Sequence, residues 1–142
     1  MDPLSIAASV AGLYALAGQV IDTVNKVSLA VKSQPVVLHA LTQDLSVLRA
    51  VLKKLEPLVT APNQEPSKDK DALSSVFNGC TETLRNIDDR LSSFESFTKG
   101  KIYRRIFLLP KFSTTMESIS FLRDQLEKYK STLLIALHLR TL

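Results

Sequence analysis

Residues 3–32, PLSIAASVAGLYALAGQVIDTVNKVSLAVK, decide the fold. The segment carries no charge between Asp2 and Asp22. Its apolar or small residues Ile6, Val10, Leu13, Ala17, Val20, Val24, Val27 and Val31 step alternately by four and three. This is a heptad stripe, the pattern of a helix packed nearly parallel to its neighbours. Asp2 followed by Pro3 offers an N-cap acceptor and a residue suited to the first helical position, so the pattern predicts a helix to about Lys32. At about 1.5 Å rise per residue, roughly 20 residues span the hydrocarbon core of a bilayer. Residues 3–21 are therefore long enough to reach across a membrane. Their Ala, Gly and Ser content places them between a buried helix and a membrane-seeking one.

Outward from this segment the same stripe returns three times. Gln34-Pro35 breaks the first run and opens a second helix with Leu38, Leu41, Leu45, Leu48, Leu52 and Leu55 in register. It is predicted to stop at Glu56, because the residue before Pro57 is biased away from helical geometry. After the Pro-rich stretch LVTAPNQEP, Ser67 can cap a third helix, striped by Leu73, Phe77, Cys80, Leu84, Ile87, Leu91 and Phe94. Residues 98–112, TKGKIYRRIFLLPKF, read as a second long connection containing Gly100 and Pro110, with room for a short extra helix around 101–108. Thr114 and Glu117 then match a capping box, Ser113 being an equally good cap, and the last stripe is Ile119, Leu122, Leu126, Tyr129, Leu133 and Ala136. Four heptad stripes without a strand signal predict an all-α chain, a single domain over 1–142 folded as an antiparallel four-helix bundle with a long N-terminal helix.

Composition agrees with a helical globular domain. Apolar residues make up 45% and charged residues 23% of the 142, with four Gly and no Trp, which are ordinary values for a chain able to build its own core. A single cysteine, Cys80, excludes an internal disulfide and a multi-cysteine metal site and suits a reducing, intracellular compartment. A secretory signal would need basic residues before its apolar core, and the first Lys or Arg here is Lys26. A permanent anchor would favour bulky side chains on all faces and basic flanks, whereas Ala7, Ala8, Ala11, Gly12, Ala15, Ala17 and Gly18 keep this surface small.

Nothing in the sequence carries catalytic chemistry. His39 and His138 stand alone on separate predicted helices, Cys80 falls on an apolar stripe where it acts as a small hydrophobe, and no phosphate-cradling Gly-rich loop is recognisable. The adjacent Asp88 and Asp89 point about 100° apart on a helix and read as a solvated face. Asp22 lies off its stripe and reads as a surface residue. The expectation is a non-enzymatic protein without cofactor or metal.

The charge is better localised. The net charge is +4, and Lys99, Lys101, Arg104, Arg105 and Lys111 cluster without an acidic residue between them; the rest of the chain is close to balanced. The segment reads as a solvated loop, or as a contact for anionic lipid headgroups, each Lys or Arg contributing about 1 kcal/mol near such a surface. Tyr103, Ile106, Phe107, Leu108 and Leu109 beside these charges suit the headgroup boundary. Nucleic-acid binding ranks last, because basic and aromatic residues alone form no recognition motif, and no nucleic-acid partner is expected.

The opening residues 1–13, MDPLSIAASVAGL, resemble the start of the HeLo-like N-terminal domains of fungal STAND proteins, the NOD-like receptors of filamentous fungi. The remainder is similar in pattern, four amphipathic helices ending near residue 140. The resemblance implies a helical effector domain of fungal programmed cell death, held inactive until a receptor or amyloid-type signal oligomerises it. Such a domain moves from cytoplasm to plasma membrane, where its N-terminal helix inserts and permeabilises. Carried onto this chain, the inserting element is Leu4 to Ile21, with Leu4, Ile6, Val10, Leu13, Leu16, Val20 and Ile21 facing lipid. No nucleotide-binding domain, repeat array or amyloid motif is evident in these 142 residues, which leaves the trigger open. The partners implied are anionic membrane lipids, further copies of the chain and an upstream STAND receptor. The rival expectation is a non-lytic adaptor that oligomerises through the small residues Ala8, Gly12 and Ala15, a face suited to close helix packing.

Overall fold

The structure is a computed structural model that describes residues 3–31, 35–59, 68–99 and 104–141, with side chains from residues 6, 35, 72 and 110 onward in those segments. They form four helices: α1 (Pro3–Val31), α2 (Val36–Val59), α3 (Lys68–Thr98) and α4 (Arg104–Thr141). The stripes become the core. Ile6, Val10, Leu13, Ala17, Val20, Val24 and Val27 of α1 are buried against Leu38 to Leu55 of α2, Leu73 to Phe94 of α3 and Ile119 to Ala136 of α4 at the heptad positions. Tyr129 and Val31 are partly buried at the edge of this core. Asp2 and Ser67, the proposed caps of α1 and α3, lie outside the described residues.

Helix ends follow local chemistry. The carbonyl of Pro35 accepts the His39 N–H at 2.9 Å, closing the first turn of α2. At the end of α3 the Thr98 hydroxyl donates to the Glu95 carbonyl at 2.6 Å, and Lys99 pairs with Glu95 at 3.0 Å. Arg140 occupies the last turn of α4, where its positive charge interacts favourably with the negative end of the helix dipole.

Three sequence expectations change. α2 does not stop at Glu56; it continues through Pro57 to Val59. Pro57 forfeits its bond to the Lys53 carbonyl, but Lys53 is exposed, so water can take that carbonyl, and the extra turn buries Val59. Of the short helix expected around 101–108, residues 101–103 lie outside the described residues and residues 104–108 are instead the first turns of α4, which runs unbroken through Pro110. The Thr114–Glu117 capping box is consequently not a helix start. Thr114 instead donates its hydroxyl to the Pro110 carbonyl at 2.9 Å, the back-bonding typical of a threonine inside a helix. Burial of Met116 and the tilted pairing of Phe112 with Phe94, ring centroids 5.7 Å apart, fix this part of α4 on α3.

Consecutive helices run in opposite directions, but their arrangement around the bundle is not sequential. α1 packs beside α2 and α3, and α4 packs beside the same two, so α1 faces α4 across one diagonal and α2 faces α3 across the other. Contacts fix the directions. Gln19 and Thr23 of α1 reach Asp88 of α3, while Gly12 shares a groove with Asn78, so α1 and α3 are parallel. Asp44 pairs with Arg123 at 2.8 Å, and Pro57 lies near His138, so α2 and α4 are also parallel. The N-termini of α1 and α3 and the C-termini of α2 and α4 thus share one end of the bundle.

Candidate functional site

α1 has two faces of different character. Its inward face holds Ile6, Val10, Leu13 and Val20, all buried, while Leu16 and Ile21 are half-buried. Leu4 belongs to the helix, but its side chain lies outside the described residues. The proposed inserting residues are therefore largely those that close the core. The outward face holds Ala8, Ala11, Gly12 and Ala15, all exposed. A Cβ added at Gly12 would meet nothing within 4 Å, so no neighbour in the bundle requires a glycine there.

Polar contacts hold α1 on both flanks. Toward α2, the Arg49 guanidinium lies 4.0 Å from the centroid of the Tyr14 ring and packs flush on Gly18, where an added Cβ would stand 3.3 Å from it. Toward α3, the Asp88 carboxylate accepts the Thr23 hydroxyl at 2.6 Å and the Gln19 amide at 3.3 Å. Asp88 is thus half-buried and tied to α1, which corrects its reading as a solvated face; Asp89 and Asp22 are exposed as expected. Only the folded pairing of α1 with α3 brings these residues together, and their sequence separation of 65 hides it.

The basic segment lies at the other end of the molecule. Lys99 follows α3 and Lys111 is exposed on α4; Arg104 and Arg105 begin α4 with side chains outside the described residues, as is Lys101 altogether. This is the end away from the α1 N-terminus, and α1 is about 44 Å long at 1.5 Å per residue. The two elements expected to meet lipid do not form one surface.

A different apolar surface was missed. The C-terminal turns of α2 and α4 enclose an open groove of about 880 Å³ lined by Pro57, Leu58, Leu134, Ile135, Leu137 and Leu139. Leu134, Ile135 and Leu139 are 41%, 61% and 62% exposed. The run LLIALHL at 133–139 was the available signal: it is apolar on both helix faces, and the bundle covers only the one bearing Leu133 and Ala136.

Among the described residues no group of three His, Cys, Asp or Glu is placed to hold a metal. His39 is exposed beside Gln43, and His138 is exposed at the apolar groove. Burial pushes the Cys80 thiol up to about 12, so it is not a nucleophile near neutral pH.

No curated protein and no solved structure matches the chain. A family model described as pigment biosynthesis cluster protein PigL N-terminal matches residues 1–142, and the chain belongs to that family.

Proposed function

We propose that this chain is a non-enzymatic, membrane-targeting and membrane-permeabilising domain in which α1 exchanges between the bundle and a bilayer. One observation carries the reading: Ile6–Val31 is long and apolar enough to cross a membrane, yet only 33% of its most apolar window is buried in the bundle. Small side chains weaken both states, since they bury less apolar area against α2 and α3 and gain less in lipid than Leu would. A helix balanced in this way is redistributed by whatever binds one state better. The resemblance of residues 1–13 to HeLo-like cell-death domains supports the same sequence of events: self-association prompted by an upstream receptor, movement from cytoplasm to plasma membrane, and insertion of the N-terminal helix. Positive net charge, concentrated in residues 99–111, supplies attraction to anionic lipid.

A second reading rests on the exposed row Ala8, Gly12 and Ala15, whose small side chains let another helix approach closely. In that reading the chain is an adaptor that self-associates without disturbing lipid.

Dye leakage from anionic vesicles separates the two. Leu13 is 2% exposed, so a charge there would disrupt the core; Ala15 is exposed and tolerates one. Ala15→Glu is expected to keep the helical circular-dichroism signal and to lower leakage about a hundredfold, from the ~3 kcal/mol cost of an acidic residue at a membrane-helix centre. Undiminished leakage from the folded variant rejects insertion, and concentration-dependent self-association without leakage favours the adaptor.

A further inference from the structure

The apolar groove between the C-terminal turns of α2 and α4 belongs to neither the core nor the basic segment. We propose that it is the docking face by which the folded bundle first rests on an anionic bilayer, before α1 leaves; this deepens the reading above and rests on it.

Three observations select a lipid surface as the occupant. Leu134, Ile135 and Leu139 project from the last turns of α4 beside Leu58, giving apolar side chains that can enter the headgroup boundary. Lys54 lines the groove, and Arg140 stands in the last turn of α4 beside it. Among the described residues no acidic side chain lines it. An apolar centre with a cationic rim complements anionic headgroups over hydrocarbon. A second copy of the chain fits less well, because a two-fold contact pairs this patch with itself and offers no acidic residue of the groove lining to meet Lys54. Finally, the groove is at the end of the bundle that carries the N-terminus of α1. Docking there places the start of the apolar helix at the membrane, whereas docking through Lys99 and Lys111 would hold it about 40 Å away by helix rise.

The chain has no Trp, so a single introduced Trp reports depth. Leu139→Trp marks the groove. Phe121→Trp, at a residue 63% exposed and about 27 Å along α4, is the control. With phosphatidylcholine–phosphatidylserine vesicles, the emission of Leu139→Trp is expected to shift to the blue and to be quenched by brominated acyl chains, with Phe121→Trp unchanged. The double variant Ile135→Glu/Leu139→Glu, folded by circular dichroism, should sediment with the vesicles about tenfold more weakly or less still. If the parent chain sediments with vesicles while Leu139→Trp emission stays fixed and the double variant binds equally, the groove is not the docking face, though the membrane reading stands. Loss of sedimentation in Lys99→Ala/Lys111→Ala with the groove variant unaffected likewise moves docking to the opposite end of the bundle and overturns the proposal. A parent chain that binds no vesicle overturns both. A blue shift that grows with protein concentration in the absence of lipid assigns the groove to a second copy and overturns the proposal.

Discussion

Cys80 shows how a single residue couples burial to pH. Its thiol is raised from 9.0 to about 12 by desolvation, so the folded state keeps a proton that the unfolded state releases above about pH 9. The associated stability is complete below pH 9 and is lost as pH rises toward 12, at about 1.4 kcal/mol per unit. In urea titrations from pH 8 to 11, Cys80→Ala is expected to be less stable at pH 8 and to converge on the parent as pH rises; parallel curves would show that the thiol is not protected. Gly12 and Asp88 make opposite cases. With no atom near its missing Cβ, Gly12→Ala should raise stability by about 1 kcal/mol through helix propensity. Asp88→Ala removes the acceptor of the Thr23 hydroxyl and the Gln19 amide and should lower it by about 1–2 kcal/mol, both read from denaturant midpoints. The glycine's place in an open helix face is legible in the sequence. The role of Asp88 is not, because it exists only once Thr23 and Asp88, distant along the chain, share the α1–α3 boundary.

At the scale of elements, the heptad stripes were readable because burial on one helix face leaves a period in the residues themselves. All seven stripe residues of α1 from Ile6 to Val27 are buried as expected, and the six leucines of α2 are fully so. Helix ends were less legible, since proline rules describe local cost and tertiary packing can offset it. α4 illustrates this: Pro110 sits inside it, while Phe112 and Met116 within the next two turns hold it to the bundle. Pro110→Ala restores an N–H that can bond the Ile106 carbonyl and removes a ring clash. It should raise stability by about 1–3 kcal/mol and slow amide hydrogen exchange over residues 104–110; unchanged exchange there would mean that this turn is not helical in solution. The exposed run of α4 was overlooked for the opposite reason. Periodicity locates the buried face, and the second apolar face of residues 133–139 becomes visible only when the bundle leaves it bare.

For the whole molecule, the sequence predicts four antiparallel helices but not which pairs touch, because stripes carry no partner identity. The observed order sets α1 between α2 and α3, joined to them by Arg49 on one side and Asp88 on the other, with its small-residue face in solvent. It also separates the basic segment from the α1 N-terminus, so membrane activity on this account requires α1 to move relative to its neighbours. Release of α1 can be blocked covalently where Thr23 already meets Asp88 at 2.6 Å. In a Cys80→Ala background, Thr23→Cys/Asp88→Cys tests a reversible clamp between α1 and α3, disulfide formation being verified by the loss of both free thiols. The most direct measurement is dye leakage from anionic vesicles by this protein, oxidised and then reduced. Leakage that is absent in the oxidised form and returns on reduction is the expected result; equal leakage from both forms would contradict the departure of α1 from the bundle.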